Sequence, residues 1–314
     1  MDLAIIPSAQ VDATVLRASL DGIVSIDAHG TVIEFNPAAE RMFGYTRDEA
    51  IGADMAELIV PPAIRARHRE GLSRLLKGGD SRILDTRVEL EALRADGTTF
   101  PVEIAITRMS GSHATYTGFI RDITDHKLVE QERAERIARQ ALVVALGQSA
   151  LAGLEPADLC ASGLSTLIEG LGAERGSALT VGTDGSLRRE AAMGLGALAG
   201  HGEPAGQAQA ALLRRTIDAG GSLLVTGADV ASLAGDGLLV VQGMACVLTV
   251  ALQGDRGATL GMIAVASPDE DGLGPEDVGF AQAIANVIGT AIARWRADAE
   301  VTRLGLQDPL TGLA

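Results

Sequence analysis

Lysine is nearly absent from this 314-residue chain: only Lys77 and Lys127 occur, and even with the more common arginines the formal charge is −15. A chain this acidic has no basic face to neutralise phosphates, which argues against nucleic-acid or anionic-membrane partners. Cysteine is as scarce. Cys160 and Cys246 stand far apart in apolar surroundings, giving neither a metal spacing nor a disulfide framework, so a reducing cytoplasm is expected. No apolar run is long enough to span a bilayer. The start Met1-Asp2-Leu3-Ala4-Ile5-Ile6-Pro7 lacks the basic region of a secretory signal and breaks at its proline. Neither lysine follows a P-loop glycine spacing, and no His-Glu-x-x-His or Cys-x-x-Cys pair occurs, so no catalytic constellation is visible.

What the chain does have is length and ordered periodicity. With 314 residues and 47% hydrophobic content it exceeds the usual single-core size, and two domains are expected. From Gly22 an alternating run, the turn Ala28-His29-Gly30 and a second alternating run from Thr31 to Phe35 predict a hairpin. Asn36 caps a short helix from Pro37 to Phe43, with proline at its first position. Thr46 and Glu49 form a capping-box pair for another, closed by Gly52. A helix from about Pro62 to Lys77 follows, then strands Ile83 to Leu93, Phe100 to Arg108 and Thr115 to Asp122, with turns at Asp96-Gly97 and Gly111-Ser112.

Two strands, short helices and three strands, together with Asn36-Pro37-Ala38, Phe43-Gly44-Tyr45, Asp96-Gly97-Thr98 and Gly118-Phe119-Ile120-Arg121-Asp122-Ile123-Thr124, resemble the PAS sensor family over about residues 12 to 126. The resemblance implies an antiparallel sheet and helices around a small cavity, with Asp122 and Thr124 coupling the last strand to an output helix. Asp122 as a plain helix cap is the alternative, and the two roles can coexist. His68 is the sharpest chemical candidate. Ile64, His68, Gly71, Leu72 and Leu75 share one helix face and point it inward, with Arg67, Arg69, Glu70 and Arg74 largely outside. Pro62, Arg65, Arg67, His68 and Arg74 resemble the helix of the rhizobial oxygen-sensing haem PAS domains, in which a histidine at this place is the proximal iron ligand. That resemblance makes His68 a candidate haem ligand and a gas or small molecule a candidate signal. It departs at Val88, which stands where those sensors carry a gas-binding arginine. Arg87 is adjacent, but alternation sends it to the opposite face. A histidine bonded within the core is the other reading of His68. This half has no cysteine, which excludes a flavin-cysteinyl photocycle and leaves non-covalent flavin open.

Residues 127 to 150 favour a charged helix in which Ile137, Ala141, Val144 and Leu151 resemble a coiled-coil seam; packing on its own domain is the alternative. Helix Glu155 to Leu171 follows, with Leu159, Leu164, Leu167, Ile168 and Leu171 on one stripe. Strands Arg175 to Val181 and Ser186 to Met193 flank Thr183-Asp184-Gly185. After a Gly- and Ala-rich middle come helix Gln207 to Ala219, strands Ala245 to Gln253 and Ala258 to Ser267, and a long helix from Pro275-Glu276-Asp277. Its positions Ile288, Ile292, Trp295, Ala299 and Leu306 form a second possible seam. The Asp184-Gly185 hairpin, Gly261-Met262-Ile263-Ala264-Val265, Gly274-Pro275-Glu276-Asp277-Val278-Gly279-Phe280 and Ala283-Ile284-Ala285-Asn286 look like a GAF domain over about residues 140 to 295. The Asn-Lys-x-Asp-type signature of its nucleotide-binding members is missing. Neither cysteine has the histidine beside it that a bilin site would need, so both read as buried, inert thiols.

Asp308-Pro309-Leu310-Thr311-Gly312-Leu313-Ala314 resembles the opening of the GGDEF domains of diguanylate cyclases, with Asp308 and Thr311 at the junction that receives the signal. The expected organisation is a tail at 1–11, a PAS domain at 12–126, a helical linker at 127–145, a GAF domain at 146–295, a signalling helix at 296–307 and the start of a GGDEF domain at 308–314. The fold class is α+β in both domains. The expectation is a cytoplasmic homodimeric sensory module of a diguanylate cyclase, itself without activity. A sensor histidine kinase input and a free-standing ligand-binding or dimerisation module are the alternatives.

Overall fold

The computed structural model describes residues 18–76, 84, 86–109, 115–195, 203–234, 242–254 and 257–305. Its internal contacts divide the chain into two units, Met1–Arg133 and Ala134–Ala314.

The first unit is built on strands β1 (Gly22–Ile26), β2 (Val32–Phe35), β3 (Arg87–Leu93), β4 (Thr99–Met109) and β5 (Thr115–Asp122), in the order β2-β1-β5-β4-β3 with every pair antiparallel. Asp27 closes the β1–β2 turn, its Oδ1 accepting from His29 N and Thr31 N, and Gly30 takes the positive φ that the turn requires. Asn36 fixes where the chain leaves the sheet. Its buried Oδ1 accepts from Ala39 N at 2.9 Å and from Ile23 N at 2.8 Å, so one side chain caps helix α1 (Pro37–Phe43) and anchors β1. Thr46 and Glu49 make the expected capping box at α2 (Arg47–Ala50), and Asp54 caps α3 (Met55–Ile59). A 3-10 turn, Pro62–Ile64, leads into α4 (Arg65–Leu76). The core between sheet and helices is aromatic: Phe43 lies 6.1 Å from Phe35 and 5.7 Å from Phe100, centroid to centroid. Around it Met55, Leu58, Leu72, Leu84, Ile104 and Ile106 are only partly buried.

Helix α5 (Thr124–Leu151) runs from one unit into the other. The second unit adds α6 (Pro156–Leu171), β6 (Arg175–Val181), β7 (Leu187–Met193), α7 (Gln207–Asp218), β8 (Ser222–Thr226), α8 (Ala228–Ala234), β9 (Cys246–Gln253), β10 (Thr259–Ser267) and α9 (Val278–Gly305). Its sheet order, β7-β6-β10-β9-β8, is again fully antiparallel. One face is covered by α6 and α9 through Leu159, Leu164, Leu167, Ile284, Ile288 and Ile292; the other packs Leu179, Val247 and Met262 against Leu212, Val230 and Leu233. Two glycines set the first packing. A Cβ at Gly163 would meet Ile288 Cδ1 at 2.4 Å, and one at Gly289 would meet Gln253 O at 2.3 Å, so α9 lies against α6 and β9 only because both positions are bare.

Several expectations need correction. The strand expected from Ile83 runs from Arg87; Ile83 lies outside the described residues, and Leu84 makes only an isolated bridge to Ile106. The Gly111-Ser112 turn is also outside them. β8 and α8 lie in the Gly- and Ala-rich middle, which offered no periodicity to read. Ile64 was placed on an inward face with His68, but it is 39% exposed: it ends a 3-10 turn and is out of phase with the helix that starts at Arg65. Gly71 is exposed as well. Ile288 and Ile292, read as a seam, are sealed in the second core.

Candidate functional site

The junction between β5 and α5 is held by a network of polar contacts. Asp122 ends the strand, and its Oδ1 accepts from Thr124 N at 2.9 Å and Thr124 Oγ1 at 2.6 Å, which caps α5. Its other oxygen, Oδ2, accepts from Arg94 Nη2 at 2.6 Å. Arg94 also donates to Met42 O on α1 and stacks over the Phe100 ring with its guanidinium carbon 3.5 Å from the centroid. Partial burial pushes the Asp122 pKa up, but the Thr124 and Arg94 hydrogen bonds more than offset it and hold the carboxyl below its ordinary range. Ile123 N bonds Pro101 O at 3.1 Å, and Lys127 Nζ reaches Glu89 on β3 at 2.7 Å. Capping and cross-linking therefore occur on the same carboxylate. Arg94, which joins Asp122 to the aromatic core and to α1, was missed from the sequence; the only hint was an arginine two residues before the Asp96-Gly97 turn.

His68 sits on α4 beside a cleft of about 320 Å³ lined by His29, Gly30, Asp54, Met55, Arg69 and Leu72, among others. Burial pushes its pKa down, Asp54 pulls it partly back, and Arg69 adds to the lowering, so the ring is held neutral. The cleft rim is ionic: Arg69 bonds Asp54 Oδ2 at 3.0 Å and Glu57 Oε1 at 2.5 Å. A haem would use the neutral imidazole, but the surroundings do not fit one. His68 Nδ1 is buried without a hydrogen-bond partner among the described residues. A metal-bound imidazole ordinarily donates its second ring N–H to an acceptor that fixes the ring. The cleft is also at the small end for ligand pockets, and Asp54, Arg69 and Ser73 make it polar. Val88 is half-buried on β3, and Arg87 is exposed and paired with Glu103 at 2.8 Å, as alternation predicted.

In the second unit both thiols are buried. Burial pushes Cys160 up to about 12, with Glu190 adding to it, and it raises Cys246, whose Sγ donates to Asp269 O at 3.1 Å. Neither is a nucleophile at neutral pH. Among the described residues no group of three or more His, Cys, Asp or Glu side chains could hold a metal ion, and no helix is long and apolar enough to cross a membrane. On α5 the seam residues Ile137, Val144 and Leu151 are 57%, 60% and 75% exposed. Leu142, Val143, Leu146 and Ala150, which the sequence reading passed over, pack on the second core. Asp308 and Thr311 lie outside the described residues.

Family models agree with this architecture: a PAS domain model matches residues 20–125 and a GAF domain model matches residues 155–294. The chain is similar to the sensor protein FixL of Bradyrhizobium diazoefficiens, at 34% identity over 143 residues, 44% of this chain and 28% of that protein. It is similar to the oxygen sensor protein DosP of Escherichia coli, at 28% over 132 residues, 42% and 16% respectively. The cell-division control histidine kinase PdhS of Brucella ovis is 31% identical over 133 residues, 40% and 13%. The chain spans less than a third of the length of each of these relatives. The sheet order, the capped strand-to-helix junction and the family matches together identify a PAS domain followed in tandem by a GAF domain.

Proposed function

We propose that this chain is the sensory input region of a diguanylate cyclase, in which a change in the PAS domain is relayed through Asp122 into α5 and on to α9. The observation that carries the relay is the double use of Asp122: one oxygen holds the first turn of α5 while the other holds Arg94, which in turn bonds Met42 O and stacks on the Phe100 ring. A ligand that shifts the aromatic core or α1 moves Arg94 and so changes the bonds at the start of the helix. Such a ligand acts only through its different affinity for the two arrangements of this junction. The cleft at His68 suits a small polar molecule. Two copies would join along Ile137, Val144 and Leu151, the exposed heptad-spaced positions of α5.

The cyclase output rests on Asp308-Pro309-Leu310-Thr311-Gly312-Leu313, which resembles the start of a GGDEF domain and follows α9. A sensor histidine kinase output is the second reading, favoured by the likeness to the histidine kinase PdhS. Full-length protein expressed from the gene separates the two. Conversion of GTP to cyclic di-GMP supports the first reading, whereas phosphate transfer from ATP to a histidine of the protein, without cyclase activity, overturns it. Within either reading, Asp122→Asn should alter the response of the output to the PAS state, and an unaltered response would count against the relay.

A further inference from the structure

Helix α5 docks on the GAF core through Leu142, Val143, Leu146 and Ala150. Arg139 stands one turn before Leu142 on the same side, since residues 139 and 146 are two turns apart. Its Nη1 lies 2.9 Å from Asp277 Oδ1, and its guanidinium carbon lies 5.8 Å from the Phe280 ring centroid. Asp277 is in the 3-10 turn Pro275–Asp277 that opens directly into α9, and its side chain is 9% exposed. Asp277 Oδ2 accepts from Gly274 N at 2.9 Å, closing that turn. Oδ1 receives no aligned hydrogen bond, so its contact with Arg139 is one of charge. A buried carboxylate oxygen with no aligned donor depends on a neighbouring cation, and withdrawing that cation leaves a buried charge uncompensated. The carboxylate that shapes the first turn of the helix leaving the GAF domain is therefore held by a side chain of the helix entering it.

We propose that Arg139 and Asp277 form a latch that ties α5 directly to the start of α9, so that a change in α5 reaches the outgoing helix without crossing the GAF sheet. Its purpose rests on the relay reading above, but the contact is testable alone. Arg139 acts as a positioning residue. When α5 shifts, Asp277 loses its counter-charge, and the Gly274 to Phe280 segment loosens at the base of α9.

Hydrogen exchange read by mass spectrometry on the whole chain tests this with Arg139→Gln, Asp277→Asn and the double variant. Asp277→Asn keeps an oxygen that can accept from Gly274 N, so it removes the charge and leaves the turn. Arg139→Gln should raise exchange at 274–282 roughly tenfold, within the range by which residues in contact couple. Asp277→Asn should raise exchange at 136–146, and the double variant should exceed neither single one. Arg139→Lys, which keeps the charge, should recover part of the protection. Additive effects, unchanged exchange at 274–282 in Arg139→Gln, or an equal rise in strands 246–253 and 259–267 would overturn the latch. Failure of the relay looks different: Asp122→Asn would then leave 274–282 unchanged while the latch variants still behave as described.

Discussion

Replacing Asp122 by alanine should loosen the start of α5 far more than replacing it by asparagine, and the difference measures how much of this junction is a cap and how much a cross-link. Losing the two bonds to Thr124 removes a helix N-cap, worth about 1 kcal/mol. The contact with Arg94 is a charge-assisted bond at 2.6 Å between side chains 28% and 32% exposed, which places it between a surface pair and a buried one, at about 1 to 2 kcal/mol. Asp122→Ala therefore costs about 2–3 kcal/mol, equivalent to roughly 30- to 150-fold in the local opening equilibrium. Asparagine still caps and loses mainly the charge, so its effect should be about tenfold. Hydrogen exchange of the 122–130 segment is the right assay, because a two-domain chain has no single unfolding free energy. The same experiment has a pH arm. The Asp122 pKa is lowered in the folded protein, so its contribution is complete above the ordinary value of 3.8 and is lost as pH falls through the folded one. In Asp122→Asn that acid-side rise in exchange should be absent. Equal exchange in the Ala and Asn variants would refute the argument, because the cap on Thr124 would then contribute nothing, and exchange in Asp122→Asn equal to the parent's would refute the cross-link to Arg94.

Three further outcomes follow from other parts of the molecule. The folded His68 pKa lies below 6.5, so the unfolded chain takes up the proton first and stability falls as pH drops from 6.5 towards the folded value; thermal melts of His68→Gln should show a shallower slope there, and parallel slopes would contradict the buried neutral ring. Haemin added to the protein and to His68→Ala should give the same absorption spectrum, and a Soret band that depends on His68 would overturn the reading of this cleft as unsuited to iron. Light scattering should report a dimer that Val144→Glu converts to a monomer with an unchanged circular dichroism spectrum, since a charge is placed where about 1.5–3 kcal/mol of apolar burial is expected per valine; a monomeric parent protein at high concentration would remove the seam.

Most of the architecture was legible because its signals are local. Asn36, Thr46 with Glu49, and Asp96-Gly97 each fix a boundary through bonds to backbone groups within a few residues, and these elements appear where the pattern put them. The strand β8 and helix α8 were not legible, since Gly220-Gly221 and the alanines around Ala228 carry no period and are ordered by long-range pairing of β8 with β9. The polar junctions fall in the same class. Arg94 meets Asp122 across 28 residues and Arg139 meets Asp277 from another helix, distances at which spacing says nothing. The two stripes of α5 show the opposite failure. Exposed Ile137 and Val144 drew the eye as a seam, while Leu142 and Leu146 on the far side belong to the core.

That double amphipathicity constrains how a signal can travel. At about 100° per residue, Val144 and Leu146 point roughly 160° apart around α5, so the helix offers one side to the GAF core and the other to solvent or a second copy. Rotating it within the docked face would drag Leu146, 2% exposed, toward water at a cost of about 1.5–3 kcal/mol, before counting Leu142 and Val143. A ligand in the PAS domain would have to supply that much differential binding energy to turn the docked segment. Loosening the first turn at Asp122 and the counter-charge at Asp277 asks for less, because both are polar contacts at the ends of packed segments. The cheaper course is therefore a change at these two polar contacts, in which the part of α5 that precedes Leu142 and carries Arg139 moves while the hydrophobic docking of Leu142, Val143, Leu146 and Ala150 is kept.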